Sequence, residues 1–208
     1  VSASLRGFVH LKASIESVTR DANGVTLRHA DGHDDRFDAV VLAVPPHRIL
    51  PLLADADPIE HLWFDACEGH TVHTVAHCDP GPYLRRDIRV PSEFDLFELE
   101  NGGHGYNAYL NRLADLPEHS GVQYGLAFDL DAELDPARIL HRQPHDVALY
   151  TEHALARRAE VRAENGHRRT WYVGAWLGDG LHEGAVRSAL AVSERLGGRR
   201  LEERSTQR

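Results

Sequence analysis

The sequence predicts a mixed α/β (α+β) fold in two lobes, and three observations carry that expectation. Residues 37–46, FDAVVLAVPP, hold an apolar run at 39–43 with no polar face, the pattern of a strand covered on both sides in a parallel sheet. Residues 169–196 set a strand, a glycine-rich turn and an amphipathic helix in succession. Residues 70–77, 104–111 and 121–130 read as strands separated by loops rich in Gly, Pro and Asp, which marks a second, sheet-based lobe.

Each element follows in order. Residues 8–18 and 25–29 alternate about Asn23-Gly24, which supplies hairpin-turn chemistry, and Asp31-Gly32 ends the second run, so an antiparallel meander is expected. Pro45-Pro46 must stop the apolar strand because neither residue can donate to a ladder. Residues 47–54 then have the spacing of a short helix with Ile49, Leu52 and Leu53 inward. Thr151 is placed to cap a helix that reaches residue 164, and Asn165-Gly166 stops it. Residues 169–176 read as a strand, 177–180 as the turn and 183–196 as a helix closed by Gly197-Gly198; the charged tail at 201–208 is expected to fray.

Composition narrows the function classes. With 208 residues and 42% apolar side chains the chain can bury a core. A net charge of -9 without a cluster of Lys and Arg leaves no electrostatic footprint for nucleic acid or anionic lipid. No apolar run nears the ~20 residues of a spanning helix, and the first residues, VSASLRGFVHLK, lack the pattern of a secretion signal. The two cysteines, Cys67 and Cys78, form no CxxC, so neither a disulfide framework nor a cysteine zinc site is indicated and a reducing cytoplasm is expected. The chain has no methionine and starts at Val1, and is therefore read as a piece of something longer.

The strand, turn and helix at 170–197 carry the chemistry. Unpaired N–H groups and the positive end of the helix dipole suit a polar or anionic ligand at such a junction. Gly174, Gly178 and Gly180 allow close backbone approach, and Gly184 and Ala185 keep the first helical turn free of bulk. Many α/β proteins join strand to helix through turns that bind nothing, and that reading stays open on these residues alone.

The segment resembles the closing flavin-binding motif of the amine-oxidase-like (flavin-containing amine oxidoreductase) superfamily, whose members end a strand in Gly-Ala or Ala-Gly before a glycine-rich turn and a long helix. The matching residues are GAW at 174–176 and GLHEGAVRSALAV at 180–192. The His-Glu pair is similar to a subgroup of uncharacterised bacterial NAD/FAD-binding oxidoreductases ending Gly-Phe-His-Glu-Asp-Gly, with Leu181, Gly184 and Ala185 standing here for Phe, Asp and Gly. The meander with FDAVVLAVPPHRILPLL is similar to the segment that re-enters the flavin domain after the substrate lobe in that superfamily. YNAYLNRLADLP at 106–117 resembles a strand of the same subgroup.

The resemblance implies FAD as cofactor and a division into a flavin-domain segment at 1–55, a substrate-lobe segment at 56–165, a closing flavin-domain segment at 166–200 and a tail at 201–208. It places the backbone of Ile15 near the adenine and the loop of Ala43, Val44 and Pro45 near the adenosine. Gly174, Ala175, Trp176, Gly180, Leu181, His182, Gly184 and Ala185 fall in the flavin motif. It implies an oxidoreductase that moves a hydride from a small or lipid-like organic substrate to flavin; since the isoalloxazine does that chemistry, no catalytic side chain is assigned. The strand-GxGxxG-helix element that holds the pyrophosphate is missing, and Gly102-Gly103-His104-Gly105 is not that motif because it follows an acidic loop and opens no helix. The alternative is a non-catalytic remnant of a flavin-binding fold acting as an interaction module.

Other side chains read more simply. His70, His73 and His77 lie beside Cys78, but on a strand His73 and His77 stand roughly 13 Å apart, too far to share an ion, so no metal is expected. His182 and Glu183 point apart on a helix start, which leaves capping to Glu183 and flavin lining to His182. There is no GxSxG elbow to support hydrolysis. Trp63 and Trp171 read as core residues, and Trp176, beside the turn, as the aromatic worth testing.

Overall fold

The computed structural model describes residues 9–100, 102–116 and 121–197, so the expected strand start at residue 8, Gly198 and the tail at 201–208 lie outside the described residues. Along the chain run β1 (Ile15–Asp21), β2 (Gly24–His29), β3 (Asp34–Phe37), β4 (Val40–Leu42), α1 (Ile49–Leu52), α2 (Pro58–Phe64) and β5 (Gly69–His77). Then follow α3 (Gly81–Leu84), β6 (Phe94–Glu98), β7 (His104–Tyr109), α4 (Leu110–Leu113), β8 (Gly125–Phe128) and β9 (Ile139–Ala148). Helix α5 (Glu152–Ala163), β10 (Thr170–Tyr172) and α6 (His182–Arg195) complete the order. The fold is mixed α/β with antiparallel sheets and divides into two compact units, residues 1–69 with 148–208 and residues 70–147.

In the first unit β1, β2 and β3 form an antiparallel meander. Asp21 pairs with Gly24, so the tight turn is Ala22-Asn23, one residue earlier than expected, and Gly24 opens the next strand at φ 159°. Strand β3 is exposed throughout and carries Asp34, Asp35 and Arg36, charges that discourage edge-to-edge pairing. Strand β4 pairs in parallel with β10, Thr170 against Val40 and Tyr172 against Leu42. The apolar run at 39–43 therefore does enter a parallel pair. Its strand is only three residues long, however, and Val41 is 45% exposed, so the described residues cover one face and not both.

The chain then turns through a 3₁₀ segment at Pro46–Arg48 into α1, with Ile49 and Leu53 buried and Leu52 half-buried. Helix α2 opens on a capping box: Asp57 accepts from the Ile59 and Glu60 amides while the Glu60 side chain accepts from the Asp57 amide. Helix α5 is capped by Thr151 as expected and ends before Gly166 at φ 103°. The core joins Val18, Val25, Ile49, Trp63, Phe64, Val161, Tyr172 and Trp176.

A buried ionic cluster ties these elements together. The Arg20 guanidinium on β1 donates to both carboxylate oxygens of Glu60 on α2, to Asp55 and, at 3.1 Å, to Thr170 Oγ1 on β10. Arg20 is 5% exposed and Glu60 0%. The Tyr172 hydroxyl donates to Glu60 Oε1 at 2.9 Å, and burial, with the neighbouring Glu60 charge, pushes its pKa well above the ordinary range. Two buried charges persist here because nearly every lone pair has a donor.

In the second unit five strands lie in the order β6-β7-β8-β5-β9, over a core of Val75, Tyr83, Phe97, Ala127, Leu130 and Leu134. The strand expected to continue from Tyr109 turns instead into α4. Asn111 is the cause: its side chain accepts from the Tyr124 amide at 2.7 Å and donates to the Val122 carbonyl at 2.9 Å, which pulls the chain off the sheet line. Gly102 turns at φ 77° in the β6–β7 connection and Gly105 lies within β7, so this glycine run serves a hairpin.

Candidate functional site

The candidate site is the edge where β4 and β10 end together. Parallel strands deliver their carboxyl ends to the same side, and the Val173 amide still donates to the Leu42 carbonyl at 3.1 Å before the two chains part. The loops that follow are residues 43–45 and 174–181. In open α/β sheets that edge is where ligands bind.

Ala43 is exposed there, and Val44 and Pro45 are half-buried. Ile15 lies on the meander at the start of β1, opposite His29, and packs against the same core. Gly174 departs from β10 at φ 148°, and a Cβ there would stand 2.8 Å from the Trp176 ring. Only a glycine leaves that approach open. The strand expected to run to residue 176 therefore stops at Tyr172, and Ala175–Leu177 coil into a 3₁₀ turn. Trp176 is buried, stacks edge-on with Phe64 and lines a small recess with Pro46, Trp63, Cys67 and Tyr150. Its indole Nε1 has no hydrogen-bond partner among the described residues.

Gly180 turns at φ 84° and brings the chain to α6, where Leu181 and His182 are exposed, Gly184 is buried and Ala185 is half-buried. Gly178 and Gly184 touch: a Cβ on Gly178 would fall 2.7 Å from the Gly184 Cα. The amide donors expected to be free at this helix start are partly taken. Asp179 Oδ1 accepts from the Leu181 amide at 2.9 Å and from the Gly184 amide at 3.1 Å, which holds its carboxyl below the usual carboxylate range. The cap is thus Asp179, while Glu183, expected to cap, pairs at 2.7 Å with Arg187 one turn on. A carboxylate in that place makes the helix start less receptive to a bare anion and leaves close backbone packing as its main feature.

Three supporting residues were not singled out from the sequence. Arg158 and Arg162, one turn apart on α5, donate to the carbonyls of Gly178 at 2.6 Å and Leu177 at 2.7 Å, and Arg158 also lies over the Tyr150 ring. Ser188 on α6 accepts from the Gly174 amide at 2.9 Å and so ties the first glycine of the turn to the helix. The spacing of the two arginines on one helix face was the available signal.

Of the remaining candidates, Trp63 lies in the core and Trp171 lies under Arg195. His77, in the second unit, is buried: its Nδ1 accepts from the Asp79 amide and its Nε2 faces Asn107 Oδ1 at 3.0 Å. Asn107 in turn donates to the Tyr83 hydroxyl, whose pKa burial pushes up to about 12. Cys67 and Cys78 are free thiols.

The first unit thus presents an α/β edge built from two parallel strand ends and a glycine-lined helix start. Residues 1–68 match the family described as flavin containing amine oxidoreductase, whose cofactor is FAD. No curated protein matches the chain in sequence. Among solved structures it is similar to cyclohexylamine oxidase from Brevibacterium oxydans IH-35A, at 17% identity over 94% of this chain and 51% of that one, with a TM-score of 0.65. Putrescine oxidase bound to putrescine is similar at 16% identity over 94% and 51%, with a TM-score of 0.63. A CLA-producing fatty acid isomerase from P. acnes is similar at 18% identity over 88% and 47%, with a TM-score of 0.58. The chain spans about half the length of these structures. By the match over residues 1–68 and by its fold, the chain is similar to the flavin containing amine oxidoreductases.

Proposed function

We propose that this chain supplies part of an FAD-dependent oxidoreductase that takes a hydride from a small or lipid-like organic substrate. The observation that carries the reading is the shared carboxyl edge of β4 and β10, where residues 43–45 and the glycine turn from Gly174 to Gly180 leave backbone open to a large planar or nucleotide-like group. The fit is supported by the buried Trp176 Nε1, which has no hydrogen-bond partner among the described residues, and by the close approach of Gly178 to Gly184, which a side chain at either position would fill. Large apolar side chains exposed along the same unit, Val41, Leu181 and Val186, support an edge that another surface covers.

In this reading Ala43, Val44, Pro45 and Ile15 line the adenosine side, and Gly174, Ala175, Trp176, Gly180, Leu181, His182, Gly184 and Ala185 line the flavin side. Bound FAD would supply the electron acceptor. The chain's own residues shape, dry and orient the pocket: Arg158 and Arg162 hold the turn carbonyls, and Ser188 holds the Gly174 amide. The two free thiols are consistent with a reducing, cytoplasmic setting.

The test is flavin occupancy, read from the visible spectrum of the purified protein in the longest form its coding frame encodes. Gly184→Leu is expected to strip the flavin, because even a Cβ there meets Asp179 Oδ1 at 2.5 Å. Unchanged occupancy in that variant would remove this placement of the site. An initiation codon at Val1, with no flavin in the purified chain, would favour the remnant acting as an interaction module.

A further inference from the structure

Outside the candidate flavin edge, the β2–β3 turn gathers two imidazoles and two carboxylates from HADGHDD, residues 29–35. His29 Nε2 stands 3.0 Å from Asp35 Oδ2, and His33 Nε2 stands 3.6 Å from the same oxygen. The two rings stack at 3.8 Å with 18° between planes, so both present nitrogen to one side. One ligand atom from each of His29, His33 and Asp35 lies within 4.8 Å of the others. Around a tetrahedral zinc ion, ligand atoms with bonds of about 2.0–2.1 Å sit about 3.4 Å apart, so the cluster needs only small side-chain shifts to close on an ion.

A second contact sets this group apart from a chance meeting of surface charges. His33 Nδ1 is 2.6 Å from Asp31 Oδ1. Metal-bound histidines ordinarily give their other ring N–H to a carboxylate, which fixes the tautomer and aims the free nitrogen at the ion. Asp31 does this for His33, leaving Nε2 turned toward Asp35. His10 lines the same recess.

We propose that His29, His33 and Asp35 form a binding site for a divalent cation of the zinc type, with Asp31 as the residue that orients His33. Mixed imidazole and carboxylate donors suit zinc and its neighbours better than calcium or magnesium. The site clips β3 to β2. That strand is exposed at every residue, and its pairing to β2 spans only Asp34 to Phe37, so an ion bridging His29 to Asp35 fastens the turn end of the hairpin, from which β3 starts. The ligands emerge only from the fold: residues four and six apart in a turn-rich stretch converge because the Ala30–Gly32 turn reverses the chain between them.

The experiment is a calorimetric titration of the untagged, chelator-treated chain with Zn²⁺, accompanied by amide hydrogen exchange of β3. One saturable ion per chain and slower exchange at residues 34–37 are expected. Asp31→Asn, which keeps all three ligands, should weaken binding roughly 10–100-fold, and His33→Ala should abolish the saturable site. His61→Ala, in an exposed His–Asp pair elsewhere, should leave the titration unchanged. Tryptophan fluorescence checks that each variant stays folded. Absence of saturable binding, or equal affinity in wild type, Asp31→Asn and His33→Ala, would overturn the site; binding without slower β3 exchange would overturn its role as a clip.

Discussion

Replacing Arg20 by methionine isolates what the buried ionic cluster contributes. Arg20 reaches both oxygens of Glu60, and Glu60 is 0% exposed, so the substitution strands a carboxylate in the core. The remaining partners are the Tyr172 hydroxyl at 2.9 Å, the Asp57 amide at 3.0 Å and Arg168 at 3.9 Å. Breaking one side of a buried pair costs about 3–5 kcal/mol, against a total stability of about 5–15 kcal/mol for an ordinary domain. With a urea slope of about 2 kcal/mol per molar, the unfolding midpoint should fall by about 2 M. All three tryptophans, Trp63, Trp171 and Trp176, belong to the first unit, so their fluorescence reports that unit without interference from residues 70–147. Adding Glu60→Gln to the variant should recover part of the loss, since the stranded charge is then gone. A midpoint shift below about 0.5 M, which corresponds to about 1 kcal/mol at that slope, would refute the claim that Glu60 depends on Arg20.

Two further outcomes follow from the contacts described. Arg158→Leu removes the donor to the Gly178 carbonyl; it should cost about 1 kcal/mol and speed amide exchange at residues 178–180 while leaving that of β1 unchanged. In the second unit Arg86, donating to both Glu133 oxygens at 2.7 Å, holds the Glu133 carboxyl below its ordinary range. A depressed carboxyl stabilises the fold above the unfolded value of about 4.3 and loses that contribution as pH falls through the lower folded value. Glu133→Gln should therefore be the less stable form at neutral pH and show a shallower loss on acidification, read from the near-ultraviolet signal of buried Tyr83; parallel pH profiles would count against the pair.

What could be read from the sequence was local. The meander followed from alternation and turn chemistry, and α5 from Thr151 at one end and Gly166 at the other, because those signals lie within a few residues of the structure they make. The run at 39–43 announced a parallel strand, but its length and the exposure of Val41 depend on what packs above it. Arg20 could not be recognised as buried: it stands among polar neighbours on β1, and its partners Glu60 and Thr170 come from distant parts of the chain. Asp179 was legible in principle, since an Asp side chain commonly accepts from the backbone amide two residues on, here that of Leu181 at the start of α6. The histidine grouping at 29–35 is not legible from strand spacing, because the turn at Ala30–Gly32 does the gathering.

The interrupted first unit also sets an order of events at the ribosome. Val40 and Thr170 must meet to make the parallel pair, yet the whole of residues 70–147 is synthesised between them. The second unit is a contiguous stretch and can fold as soon as it emerges, whereas the first holds β4 without its parallel partner until residues 170–172 are out. A nascent chain stalled before residue 170 should thus display protected amides in the inserted sheet beside an open β4. The two loops of the candidate site can come together only once the residues after β10 have been made.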